Sequence, residues 1–227
     1  MNETNDLRLA PSRHRPVDRG ALDYGNSMSN THSGRGRRPE HVVRSEALVA
    51  ALDILLAEGA AAFTFEKVSA RSGVSRVTLN KYWSTRGALA LDAYLSQVSG
   101  VVDFKGTGNL KRDLVAVLSA WVGFLEDPKM CRAFTQLIGL AQTDEEVGSA
   151  FASHYFGPRR IEAIEMIERA QERGEVVLQG SPVTYVDMIW GACYHRLLLP
   201  NLRNTLTKEY VVELVDAVID PIATKVA

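Results

Sequence analysis

The sequence has little of what a secreted, membrane-spanning or sheet-built protein shows. Its two cysteines, Cys131 and Cys193, form no CxxC pair and sit inside apolar segments, so they read as reduced core residues of a cytosolic protein. No run approaches the roughly 18 consecutive apolar residues that cross a bilayer. The N-terminus is polar and charged and lacks the apolar core of a secretion signal. No alternating run or hairpin turn appears, which argues against a sheet. Catalytic signatures are missing too: there is no GxSxG, HExxH or P-loop. Gly34-Arg35-Gly36 and Gly106-Thr107-Gly108 lack the third glycine and the preceding strand of a dinucleotide fingerprint. The five histidines, His14, His32, His41, His154 and His195, have no metal-ligand spacing. No enzyme, metal or cofactor is expected.

What remains is a 227-residue chain with 46% hydrophobic residues, enough to bury a substantial core. Its net charge of −1 hides an asymmetry. Residues 35–86 carry nine basic against five acidic residues, whereas residues 87–227 carry 13 basic against 18 acidic. A basic block ahead of an acidic body points to a polyanion bound at one end. An architectural DNA binder would instead spread basic charge over the whole body.

Residues 1–34 have no apolar period and read as a disordered arm. Beyond them the spacing is helical almost throughout, so the fold class is all-α. Long helices are expected over 39–58 and 85–100, with two short ones between them over 65–71 and 76–83. Gly59 closes the first helix, Thr64 and Ser75 cap the short ones, and Gly73 turns the chain between them. The glycine-rich stretch 105–109 marks a domain boundary. Further helices are expected over 110–125, 130–141, from a capping box at Thr143–Glu146, over 159–173 after an interruption at Gly157-Pro158, and over 182–199 and 208–224.

The segment from Thr64 to Trp83 carries the sharpest signal. Two short helices around a tight turn need a residue that tolerates positive φ, supplied by Gly73, and a small residue at the crossing, supplied by Ser69. Val68, Val74, Val77 and Leu79 are spaced to pack the corner. The second helix then offers Ser75, Arg76, Thr78, Asn80 and Lys81 to base edges and phosphates.

These residues resemble the TetR/AcrR repressor family. The resemblance runs from Gly34-Arg-Gly-Arg-Arg-Pro39 through the Thr-Phe-x-x-Val-Ser helix and Gly73-Val74-Ser75 to the Leu-x-x-Tyr-Trp-x-x-Arg-x-Ala-Leu stretch ending at Leu89. More loosely, Arg173-Gly174-Glu175 and Tyr194-His195-Arg196-Leu197-Leu198 look like one class of TetR ligand-binding domain. The resemblance implies an N-terminal three-helix helix-turn-helix domain over 35–100, with its connecting helix, and a larger helical ligand-binding and dimerisation domain over 109–227, about nine helices. Arg35, Arg37 and Arg38 would enter the minor groove. Thr64, Tyr82 and Arg86 would join the recognition helix in contacting DNA. Asn80 departs from the family's usual tyrosine and Trp83 from its phenylalanine. Asparagine pairs well with adenine, so Asn80 is a candidate base reader.

The implied partners are an inverted-repeat operator in double-stranded DNA, a small-molecule effector and a second copy bound through the helices of 182–199 and 208–224; no membrane is implied. The implied location is the bacterial cytoplasm, on the nucleoid when bound. The expected action is repression released by ligand, with activation as the alternative sign. Pocket candidates are Trp121, Phe124, Phe134, Tyr155, Met166, Trp190, Tyr194 and His195, whose aromatic bulk suits an apolar or planar ligand.

Overall fold

The computed structural model describes residues 38–98, 104 and 106–224. The expected arm, Arg35, Arg37, the far end of the fourth helix and Lys105 lie outside the described residues. The described chain is all-helical, with ten α-helices and a single isolated bridge between Val176 and Ala223. The helices are α1 (Glu40–Glu58), α2 (Phe65–Ser72), α3 (Arg76–Tyr82), α4 (Arg86–Val98), α5 (Leu110–Leu125), α6 (Pro128–Ala141), α7 (Glu145–Phe151), α8 (Gly157–Glu172), α9 (Pro182–Leu198) and α10 (Lys208–Ile219). No described helix is long and apolar enough to cross a membrane.

Local chemistry explains most boundaries. Pro39 is extended and precedes α1 rather than lying in its first turn. Asp127 caps α6, and Pro128 occupies its first position, where the missing N–H would have had no helical partner anyway. The capping box expected at Thr143 shifts by one residue. Asp144 is the cap, accepting from the Val147 N–H at 3.1 Å, while the Thr143 hydroxyl donates back to the Leu140 carbonyl of α6. The helix expected over 208–224 stops at Ile219 and tightens to a 3₁₀ turn over Asp220–Ile222, because Pro221 has no N–H with which to continue it.

The largest departure lies at Gly157-Pro158. The expected interruption is absent: α7 runs through a π turn, Ala152–Phe156, directly into α8. The wider turn absorbs the missing proline N–H, and the Gly157 N–H reaches back to the Ala152 carbonyl. A Cβ at Gly157 would stand 2.6 Å from that carbonyl oxygen, so this position needs glycine.

The glycine-rich stretch before α5 is held by a buried carboxylate. Asp113 accepts from the Thr107 N–H at 2.9 Å and the Thr107 hydroxyl at 2.6 Å. Burial alone would raise its pKa, but donors from Thr107, Gly108 and Asn109 hold it below the ordinary aspartate value. A carboxyl depressed in the fold stabilises above its unfolded pKa of about 3.9 and loses that contribution as pH falls through the folded value. Asp113→Asn should therefore lower neutral-pH stability by about 1–3 kcal/mol through mismatched buried donors, and flatten the acid limb of the stability curve. Denaturant titrations between pH 3 and 7 measure both; parallel acid limbs would contradict this role.

The Arg173-Gly174-Glu175 motif has a structural explanation. Gly174 adopts φ 71°, Arg173 pairs with Glu175 at 2.7 Å, and Glu175 accepts from the Leu110 N–H at the start of α5. The motif closes the end of α8 and caps α5 in one step.

Candidate nucleic-acid interface and ligand cavity

The helix-turn-helix follows from local bonds. Thr64 Oγ1 accepts from the Lys67 N–H, Ser75 Oγ accepts from the Thr78 N–H at 3.1 Å, and Gly73 turns at φ 69°. Val68, Val74 and Leu79 are buried at the corner, and Ser69 is half-buried there. Val77 is not part of it. It is 82% exposed on the outer face of α3. With Leu79 turned inward, the 100° step places Val77, Asn80 and Lys81 together outward.

The expected contact residues occupy different settings. Asn80 and Lys81 are exposed. Ser75 and Thr78 share a hydroxyl contact at 2.9 Å, so both are partly engaged in the cap. Arg76 pairs with Glu66 at 3.0 Å, and Arg38 with Glu46 at 2.7 Å. Both are exposed pairs of small energy that a phosphate can displace. Tyr82 is half-buried, with Arg44 and Lys81 over its ring. Arg86 donates to the Phe63 carbonyl at 3.3 Å, which ties the start of α4 to the turn before α2.

Residues unnoticed in the sequence join this end to the body. Arg132 of α6 donates to the Leu56 carbonyl at 2.7 Å, and Gln136 accepts from the Ala60 N–H at 2.9 Å. Gly87, in the first turn of α4, lies against α7 so closely that a Cβ would stand 1.9 Å from Val147 Cγ2. Their spacing carried no signal, because each partner is distant in sequence.

A cavity of about 250 Å³ lies among α5, the π turn, α8 and α9. Four of the eight pocket candidates line it: Trp121, Tyr155, Trp190 and Tyr194. The other four do not. Phe134 is fully buried at the centre of an aromatic cluster, with Tyr94, Trp121, Phe151, Tyr155 and Tyr194 all within 6.4 Å between ring centroids. Phe124 packs edge-on against Tyr94 at 5.9 Å, and Met166 is core. His195 is exposed, one turn beyond cavity-lining Gly191 on α9, and is not part of the lining. The lining also includes Phe104, Val186, Arg159, Arg160 and Asp187, none read from the sequence as pocket residues. A larger, more open cleft near Cys131 and Arg203 holds none of the aromatic candidates.

α9 and α10 leave a stripe of mixed apolar and polar residues exposed. Thr184, Met188, Gly191, His195 and Leu198 recur at helical spacing on exposed α9, and Val212 is exposed on α10.

Two family descriptions match this chain: "Bacterial regulatory proteins, tetR family" over residues 47–93 and "Tetracyclin repressor-like, C-terminal domain" over residues 104–218. The chain belongs to the TetR family. Among TetR-family relatives, the HTH-type transcriptional regulator YdeS of Bacillus subtilis is 30% identical over 183 residues, covering 81% of this chain and 91% of YdeS. The DNA-binding transcriptional repressor TetR of Mycobacteroides abscessus is 28% identical over 183 residues, covering 78% and 92%. In structure, the TetR family transcription regulator SCO0332 matches with a TM-score of 0.66 and 39% identity, covering 80% of this chain and 99% of SCO0332. This TetR-family chain is a DNA-binding transcriptional regulator, not an enzyme.

Proposed function

We propose that the protein is a cytoplasmic homodimeric repressor that binds an inverted-repeat operator and leaves it when a small aromatic ligand enters the cavity. The domains that divide this work are 35–100 for DNA and 109–227 for ligand and dimer. The observation that carries the DNA-reading half is the outward face of α3, where Val77 and Asn80 stand exposed beside buried Leu79. Asn80 is suited to adenine and Val77 to the thymine methyl, an apolar contact that the major groove offers. Arg35, Arg37, Arg38, Tyr82 and Arg86 supply phosphate and minor-groove contacts.

The uncovered stripe on α9 and α10 is the proposed dimer face. A two-fold axis through it would set two α3 helices about 34 Å apart, one DNA turn. Release then needs a path from cavity to DNA. Tyr155 lines the cavity from the π turn, the same helical rod begins at α7, and Val147 of α7 abuts Gly87 of α4. A ligand that displaces Tyr155 pushes on the first turn of α4 and alters the spacing of the paired α3 helices. By linkage, operator must weaken the ligand as much as ligand weakens operator, by about 1–3 kcal/mol in ordinary systems.

The test is selection of an operator from random duplex DNA, followed by affinity measurements on matched and mismatched sites. Asn80→Ala should cost about 1–3 kcal/mol on the matched site and little on mismatched ones. Val77→Ala should relax discrimination at a neighbouring position by a smaller amount. An unchanged ratio of matched to mismatched affinity in Asn80→Ala would sink the base-reading assignment.

A further inference from the structure

Arg159 sits in the wall of a largely apolar cavity without a counter-ion. It is in the first turn of α8, four residues after Tyr155, and its guanidinium carbon lies 4.2 Å from the Tyr155 ring centroid. Its Nη1 makes one long bond, 3.3 Å, to the Tyr155 carbonyl. Its Nε is buried with no hydrogen-bond partner. Among the described residues no carboxylate comes within ion-pair distance of it. The neighbouring cation is differently placed: Arg160 forms a two-pronged pair with Asp187, with Nη2 3.0 Å from Oδ2. Asp187 is thus neutralised at the edge of the cavity, while the interior retains one positive charge.

A charge on an apolar wall is costly unless a partner arrives, and a ring face below it compensates only in part. The buried phenols of Tyr155 and Tyr194 cannot serve as that partner. Burial pushes both up, Tyr194 well above its ordinary range, so both stay neutral. Arg159 presents planar, paired donors that match a carboxylate. A space of about 150 Å³ holds benzene, so this cavity of about 250 Å³ has room for a fused bicyclic ring or for one ring with a short side chain. Trp121, Trp190 and Phe104 supply flat apolar walls for it.

Resting on the ligand-sensing reading above, we propose that the cavity selects a planar aromatic acid, with Arg159 as the counter-ion to its carboxylate. The ring lies among the tryptophans and the carboxylate meets the guanidinium. Neutral analogues of the same shape lack the ion pair and bind less tightly.

The test is calorimetric titration of the full-length protein with 2-naphthoate and with 2-naphthamide, which have the same shape and differ in charge. The wild type should prefer the acid by roughly tenfold or more, the scale of a hydrogen-bonded ion pair. Arg159→Met, which keeps the apolar stem, should abolish that preference while leaving the amide within about threefold of wild type; Arg159→Lys should restore part of it. If the wild type binds acid and amide equally, the charge selection is wrong while the aromatic cavity stands. If neither compound binds, the ligand reading of the cavity falls and this inference with it. The wild-type ratio decides the matter even if a variant fails to fold.

Discussion

Met188→Asp is expected to convert the protein to a monomer and to lower operator affinity by about 10²–10⁴-fold, the range lost when two linked half-site contacts become independent. Met188 is 49% exposed in the middle of the α9 stripe. A two-fold contact would bring each introduced carboxylate close to its symmetry mate, out of water and next to Asp187. Binding to an isolated half-site should barely change, because α3 is untouched. Sedimentation equilibrium and titration of half- and full-length operators provide the measurements. A variant that stays dimeric would move the interface away from α9.

Phe134→Ala is expected to cost about 3–5 kcal/mol of folding stability, the usual range for emptying a phenylalanine site in a core. At about 2–4 °C per kcal/mol for a chain of this size, thermal unfolding should fall by roughly 6–20 °C. The reason is position: five aromatic rings close on this one. Trp190→Ala should behave differently, since Trp190 is only half-buried, stacked at 6.3 Å on Phe104 at the cavity. It should lose less stability and more affinity for an aromatic ligand. Thermal melts of both variants, each with and without 2-naphthoate, separate keystone from wall. Equal melting losses would erase the distinction.

Sequence reading was reliable where the determinants were local. The caps at Thr64 and Ser75, the left-handed turn at Gly73 and the run of α5 each depend on residues within four positions of one another. It failed at Val77 for an identifiable reason. On a helix of seven residues, Val77 and Leu79 are both apolar and two apart, and helical spacing alone cannot say which turns inward. Packing against α2 chose Leu79.

The cavity was legible only as a class of residue. Aromatic spacing nominated Phe134 and Tyr194 alike, but one fills the centre of the cluster and the other borders empty space. Arg159 escaped notice because an arginine on an amphipathic helix ordinarily faces water. Burial of its Nε depends on α8 leaning against α5 and α9.

What the sequence by itself determined is the all-helical class, the helix-turn-helix and the family, since caps, turns and apolar period are near-neighbour properties of the chain. Only the tertiary structure decided that the helix survives Gly157-Pro158 as a π turn. Local propensity opposed that path, and the burial of Val147 ahead of the turn and of Tyr155 within it outweighs it. The same packing decided which aromatics border the cavity, kept His195 out of its lining and left Arg159 as a cation awaiting a partner, because each depends on contacts between residues far apart along the chain.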